Sequence, residues 1–532
     1  MFILVPSFLL IGTAAIIQIL HIFRPRFNAT WLIAVTGAFL SWVSLLFLRF
    51  RLPTNLVYLH WDIGKIYIDS PALVIDYSSW PYAFAIGTLI LAIVLSSPAN
   101  LQSRMEISSL AGNLAITGLS YFAFLASNLI SLLIGWAAID LIEISALLRN
   151  NPEIKNNQRI IIGFTSRFLG LILIFWAIVL GSRESGFRTD FANLSPLVGL
   201  PVLIGIGLRL GLFPVHLTYS EETSIRRSQG NLFRFIPPAA SIVLLSRIPP
   251  ETLSPDMNII IRLLTMIAAI YGLIRWLSEK RELDTRPYWV MILSSLAILS
   301  TLNGFSMASV SWGTSMILLG GALYLHDFKT RFIQVLLFIG LLLFTGIPYT
   351  PNAAGLAGLM GSPNLFIEII SLLIFLPLLV GLFRKIKGKE FIPSGLERIV
   401  YLTYPFSILL LIISFVIIGL FGWRGSRIIG AWPAIITGLG IILFMLIMNR
   451  FLPRQITYIK NSFEEFIKKY SFIRQYVRTI FTFTWVYTLF RWIFGIIGKI
   501  IDWFTFLLEG ESGLLWGMVF LILLIMVIGG RS

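Results

Sequence analysis

Asp140 and Glu143 stand three residues apart in the apolar run SNLISLLIGWAAIDLIEISALL, so a helix over that run carries both carboxylates on one face. An ionisable group inside a membrane helix costs roughly 2.5–3.5 kcal/mol on insertion scales, so each one needs a partner or a purpose. Two carboxylates held close disfavour each other's ionisation, which suits proton exchange. A structural ion pair with an arginine of a neighbouring helix, such as Arg167 in RIIIGFTSRFLGLILIFW, accounts for them equally well.

Three more runs carry ionisable residues where apolar ones dominate. In GIGLRLGLFPVHLTYSEETS, Arg209 precedes Pro214 by five residues and His216 follows it by two. A proline there removes a backbone hydrogen bond, so the helix is expected to break at it, and broken helices beside ionisable side chains recur at transporter ion sites. Arg234 opens the run FRFIPPAASIVLLSRIP, again with prolines near a helix start, and Glu368 is a lone carboxylate in SPNLFIEIISLLIFLPLLVG.

The elements that position these groups are membrane helices. Of the 532 residues, 57% are hydrophobic and 12% charged, against about 25% charged in soluble domains. Stretches of about 20 apolar residues, the length that crosses a bilayer, recur near 2–23, 30–50, 80–98, 108–127, 129–148, 159–181, 195–215, 233–248, 257–277 and 288–305. They continue near 307–325, 332–348, 363–383, 398–421, 428–449 and 512–529. Lipid-exposed backbone must be bonded internally, and the alternation of barrel strands is missing. The expected fold is all-α, a polytopic integral membrane protein of about 14–16 transmembrane helices, some broken, with the stretch 2–23 as a retained first helix.

Three regions are expected: a transmembrane domain over 1–450, an amphipathic interfacial segment over 451–510, and a last transmembrane helix over 511–532. The middle one is basic and aromatic, with Lys460, Lys468, Arg474, Arg478, Arg491 and Lys499 among Trp485, Trp492 and Trp503. Residues 51–79, with Asp62, Asp69 and Asp76, read as a folded loop or hairpin outside the membrane. A net charge of +16 sits at the ends of the apolar runs, which points to anionic lipids as partners and away from nucleic acid. No cysteine occurs, so thiolate-ligated metals and cysteine-held iron–sulfur clusters are excluded, and His21, His60, His216 and His326 have no metal-ligand spacing. No metal or cofactor of the chain's own is expected. Basic residues flank nearly every run, so charge asymmetry along the sequence does not orient the chain.

In order along the chain, Gly135-Trp136-Ala137, Arg209-Leu-Gly-Leu-Phe-Pro214-Val-His216, Asp284-Thr-Arg286-Pro287 and Thr345-Gly-Ile-Pro348 resemble the signatures of one family. It comprises the antiporter-like membrane subunits of respiratory complex I, membrane-bound hydrogenases and Mrp-type sodium/proton antiporters. These show Gly-Trp-Glu in a fifth helix, a Lys-Ser-Ala-Gln-x-Pro-x-His type of motif in a broken seventh, Asp-x-Lys-Arg opening a later helix, and a Gly-x-Pro break. The resemblance spans roughly residues 60–420. It implies a midplane path of charged residues along which protons or cations move as lysine and carboxylate pairs change partners.

The departures bear on that path. Ala137 stands where the family has glutamate, leaving Asp140, one turn on, as a substitute, and arginine stands in for lysine at Arg209 and for lysine or histidine at Arg234. Arginine keeps its proton at physiological pH whereas a buried lysine can release one, so Arg209 is expected as a fixed counter-charge to Asp140, with a carboxylate titrating. The expected function is a proton- or Na+-translocating subunit of a complex I-like, NADH:quinone oxidoreductase-like assembly in a prokaryotic plasma membrane or another energy-transducing membrane. It would work beside other membrane subunits and have no chemistry of its own. Its expected ion path is Asp140, Glu143, Arg209, His216, Arg234, Arg286 and Glu368. Competing readings are a non-conducting structural subunit, an inorganic-carbon uptake partner of the same family, and a polytopic glycosyltransferase acting on lipid-linked substrates.

Overall fold

The computed structural model describes residues 2–24, 29–57, 70–97, 104–150, 154–184, 191, 194–216, 227–248, 253–279, 281–325, 330–361, 365–387, 398–422, 440 and 484–508, together with 515, 517–519, 521–522 and 526. The chain divides into two compact units, Met1–Glu465 and Phe466–Ser532. Two of the expected runs, 428–449 and 512–529, lie wholly or largely outside the described residues, as do 451–483, His60, Asp62, Asp69 and His326.

Each of the first fourteen apolar runs falls on a helix. The order is α1 Val5–Phe23, α2 Thr30–Leu48, α3 Trp80–Ser96, α4 Arg104–Phe124, α5 Leu129–Asn150, α6 Ile154–Glu184, α7 Pro196–Leu210 and α8 Arg227–Leu245. It continues with α9 Pro255–Ser278, α10 Arg286–Leu302, α11 Ala308–Leu325, α12 Arg331–Phe344, α13 Pro351–Met360, α14 Leu365–Ile386 and α15 Arg398–Ile417. Among the described residues nine helices are long and apolar enough to cross a bilayer, while α3, α7 and α12 are apolar but shorter. The chain is an all-α integral membrane protein.

Burial sorts the helices. α11 is buried along its whole length, and α8 is buried from Gln229 to Leu245. α1, α2, α6 and α9 instead expose Ile16, Ile19, Phe39, Phe168, Phe175, Ile259 and Ile267. Rows of large exposed apolar side chains on membrane-length helices face lipid. Lipid supplies little hydrophobic drive between helices, so close approach depends on small residues. A Cβ on Gly170 of α6 would sit 2.7 Å from the Gly205 carbonyl oxygen of α7, and one on Gly205 would sit 2.9 Å from the Gly170 oxygen. The two backbones touch where a side chain would hold them apart.

The helix carrying Arg209 ends sooner than the proline predicts. Gly211 takes φ 74°, a left-handed conformation that costs glycine little. Its N–H reaches the Leu208 oxygen, and the Leu212 N–H reaches the Gly207 oxygen at 2.8 Å, the pattern of a Schellman cap. Gly211, and not Pro214, stops α7, and Arg209 is left in the helix's last turn.

A second break separates α12 from α13. Gly346 (φ 88°), inside Thr345-Gly-Ile-Pro348, and Tyr349 (φ 66°), just after it, turn the chain, and Pro351 starts α13. Asn352 tends the exposed backbone: its Nδ2 donates to the Phe344 oxygen at 2.8 Å, and its Oδ1 accepts from the Ser311 and Ser315 hydroxyls of α11. Backbone at membrane depth is tolerated where protein groups satisfy it in this way.

Residues 54–57 and 72–75 form the expected hairpin. β1 Thr54–Val57 pairs antiparallel with β2 Ala72–Ile75, and Leu73 bridges to Ala126 between α4 and α5. Asp76 has a structural role. Its Oδ1 accepts from the backbone N–H and hydroxyl of both Ser78 and Ser79 at the start of α3, and its Oδ2 lies 3.6 Å from Arg247 Nη2. Burial pushes this carboxyl up, but the Arg247 charge and the serine hydrogen bonds outweigh it and hold the group below its ordinary value. In the second unit, α16 Thr484–Leu508 carries Leu489, Trp492, Ile496, Ile500 and Trp503 as an exposed apolar stripe interrupted by Arg491 and Lys499, the amphipathic pattern expected of this stretch.

Candidate ion-pair site

Three helices bring charge to one buried place. Asp140 and Glu143 lie mid-way along α5, Arg167 mid-way along α6, and Arg209 in the last turn of α7; their side chains are at most 4% exposed. The guanidinium of Arg209 closes on Asp140 with both nitrogens, Nη1 to Oδ2 at 2.6 Å and Nη2 to Oδ1 at 3.1 Å. This is the fork geometry that arginine has and lysine lacks. Arg209 Nε also donates to the Ser241 hydroxyl of α8 at 3.3 Å, and its position near a helix C-terminus suits a cation.

Arg167 is shared unequally. Its Nη1 donates to Glu143 Oε2 at 2.5 Å and lies 3.4 Å from Asp140 Oδ1. Asp140 therefore faces two arginines, while Glu143 touches one and its Oε1 is buried with no hydrogen-bond partner among the described residues. Two carboxylates against two arginines balance in direct contact, which offsets desolvation costs that would otherwise reach several kcal/mol per ion.

Trp136, one turn before Asp140, locks the arrangement from the side. Its ring centroid lies 4.2 Å from the Arg209 guanidinium carbon, and its indole N–H donates to the Ala240 carbonyl of α8 at 3.1 Å. Pro237 and Pro238 lie inside α8, and Ser241 returns a hydrogen bond to the Pro237 oxygen at 2.9 Å. Proline in a helix leaves carbonyls without their usual donors, so α8 presents polar backbone beside the cluster.

Arg234 and His216 border a cavity with Arg167, Arg209, Pro238 and Met291. It leaves about 20 Å³ for water centres, more than the ~10–15 Å³ one ordered water needs. His216 is buried, with Nδ1 2.8 Å from the Pro214 oxygen. Asn231, three residues before Arg234 and so on the same face of α8, is fully buried with neither amide atom hydrogen-bonded among the described residues.

The other two expected residues stand apart from the carboxylates. Arg286, fully buried at the start of α10, has its guanidinium carbon 5.6 Å from the Tyr324 ring centroid; its neighbour Pro287 reaches the cavity wall. Glu368 is half-buried in the first turn of α14, which places it near a membrane boundary. The sequence reading left out Ser241 and Asn231, because single polar residues on a proline-bearing helix carry no recognisable spacing. Among the described residues no group of acidic, histidine or cysteine side chains is arranged to hold a metal ion.

No family model matches the sequence, and no curated protein matches it. Solved structures do. A chain of the membrane-bound sulfane sulfur reductase, an archaeal respiratory membrane complex, superposes with a TM-score of 0.67 at 15% identity, over 94% of this chain and 99% of that one. A chain of the Mrp complex from a Dietzia species superposes with a TM-score of 0.73 at 11% identity, over 100% of this chain; this chain spans 63% of that one. At such identities the likeness is one of fold: this chain shares the fold of these chains of two membrane complexes.

Proposed function

We propose that this chain is a cation-translocating, antiporter-like subunit of a larger membrane complex in a prokaryotic energy-transducing membrane, with protons or sodium ions as its cargo. The observation that carries the reading is the buried quartet of Asp140, Glu143, Arg167 and Arg209 beside a hydrated-size cavity, in a fold shared with chains of two multi-subunit membrane complexes. Buried ionisable groups in a membrane protein are costly and mark ion pathways by default. Redox or other chemistry would belong to partner subunits.

Within the quartet the roles divide. Arg209 is a fixed positive charge bound to both oxygens of Asp140, and Glu143, with one oxygen unpartnered among the described residues, is the group that takes up and releases a proton. Protonation of Glu143 frees Arg167 to move toward Asp140, already 3.4 Å away, so one guanidinium changes partners without a lysine. Arg234, His216 and the cavity supply the approach for water; Arg286 and Glu368 would continue the path.

The test is proton movement in membrane vesicles that hold the intact complex, wild type against Glu143→Gln, with subunit abundance measured in parallel. The reading expects the pH-dye response to drop while abundance stays. An unchanged response, or one that falls only in step with abundance, leaves the locked Arg209–Asp140 pair as the dominant fact and makes the chain a structural subunit.

A further inference from the structure

The cavity beside the quartet has a wall of one sign. The guanidiniums of Arg167, Arg209 and Arg234 border it together with the imidazole of His216, and the rest of its lining is proline and apolar side chains. Among the described residues no carboxylate lines it: Asp140 and Glu143 are held by Arg209 and Arg167 and stand outside the lining. Arginine keeps its charge at every physiological pH, so this wall cannot neutralise itself by giving up a proton as a lysine-lined one can.

Two buried polar side chains flank the same space. Asn231 lies three residues before Arg234 on the same face of α8, fully buried and with neither amide atom hydrogen-bonded among the described residues. Ser294 lies three residues beyond Met291 and four beyond Val290, on the face of α10 that lines the cavity. Its hydroxyl is fully buried as well, again with no hydrogen-bond partner among the described residues. Buried polar groups are as a rule hydrogen-bonded, and each exception calls for an explanation. An amide N–H, a hydroxyl O–H and the guanidinium N–H groups all donate, and one acceptor placed between them serves them together.

Size and charge narrow that acceptor. The space is of the order of one water molecule, too small for an organic substrate. A cation is repelled by the guanidinium wall, and no group of acidic, histidine or cysteine side chains among the described residues is arranged to hold a metal ion. A water molecule meets the hydrogen bonds but brings no charge, whereas an anion supplies both, and charge-assisted hydrogen bonds are the stronger ones. We infer that the cavity between α7, α8 and α10 is a binding site for one small inorganic anion of chloride size, held by Arg209, Arg234, Asn231 and Ser294. The anion is a resident counter-charge, and its binding does not require that any ion cross the membrane.

The test is binding of radioactive chloride to the detergent-purified full chain at fixed ionic strength, with gluconate, too large for the cavity, as the balancing anion. The expected result is saturable binding of one chloride per chain, displaced by bromide and not by gluconate, with a melting temperature that rises over the same chloride range. Asn231→Leu, which keeps the volume and removes the amide, should weaken binding roughly tenfold, the loss of one hydrogen bond to a charged group. Arg234→Gln should abolish binding, and Arg281→Gln, at an exposed position away from the cavity, should leave it unchanged. No saturable binding by the wild type overturns the assignment and leaves water as the occupant. Binding that Asn231→Leu leaves intact, or that Arg281→Gln removes, overturns it too, because the chloride then sits elsewhere. The wild-type measurement depends on no variant folding and uses no ion gradient, so its failure is distinct from failure of the vesicle experiment on Glu143.

Discussion

Arg209 of α7 holds both oxygens of Asp140 of α5, at 2.6 and 3.1 Å. Neither side chain is exposed beyond 4%, so each is the other's main compensation for leaving water. Removing one partner of such a pair strands a buried charge and costs about 3–5 kcal/mol. Arg209→Ala is expected to lower the melting temperature of the detergent-purified protein sharply. The paired change Asp140→Leu with Arg209→Leu should recover most of that loss, and a double variant as unstable as the singles would deny the pair its structural weight.

Arg209→Lys separates charge from geometry. Lysine keeps the charge but has no fork with which to meet two carboxylate oxygens, and its shorter reach gives up the Trp136 face at 4.2 Å. Stability should fall between those of the wild type and Arg209→Ala. In the vesicle assay, the lysine variant should still respond if a carboxylate is the titrating group. A response that depends strictly on arginine would point instead to the pair as a lock.

How much of this site could be read beforehand differs from residue to residue. The i,i+3 spacing put Asp140 and Glu143 on one face, and the apolar runs fixed which helices would carry Arg167 and Arg209. Arg209 was expected against Asp140 and lies there, whereas the sharing of Arg167 between Glu143 and Asp140 was not legible, because the spacing allows it to meet either carboxylate. The α7 terminus was placed at Pro214, a visible breaker, whereas the left-handed Gly211 acts first. α13 escaped notice because PNAAGLAGLM is ten residues long and too rich in alanine and glycine to stand out as an apolar run. Arg286 belongs to the same motif order as the others, and packing sets its guanidinium beside the Tyr324 ring.

The α6–α7 contact itself is testable. A Cβ at Gly205 would lie 2.9 Å from a backbone oxygen that has no flexible end to move. Gly205→Ala is therefore expected to push the helices apart and cost about 1–3 kcal/mol, the range for overpacking. Gly112→Ala on α4, where a Cβ meets nothing within 4 Å, serves as the control. Comparable melting temperatures for the two variants would show that the close approach is not tight.

Asp76 sets an acid limit on the hairpin end. Its carboxyl is held below the ordinary carboxylate value by Arg247 and by Ser78 and Ser79, against the opposing effect of burial. A group whose folded pKa is depressed stabilises the fold fully above its unfolded value, about 3.9, and loses that contribution as pH falls through the folded pKa. The side chain is 30% exposed and Arg247 lies 3.6 Å away, so the ion pair contributes only about 0–1 kcal/mol. The wild type should be slightly more stable than Asp76→Asn at pH 6, and the gap should close as the pH is lowered past 4. Melting temperatures of the two proteins over that range decide it: a gap that stays constant into strong acid would mean that the carboxylate's charge has no part in holding β2 to the start of α3, and that its hydrogen bonds to the serines suffice.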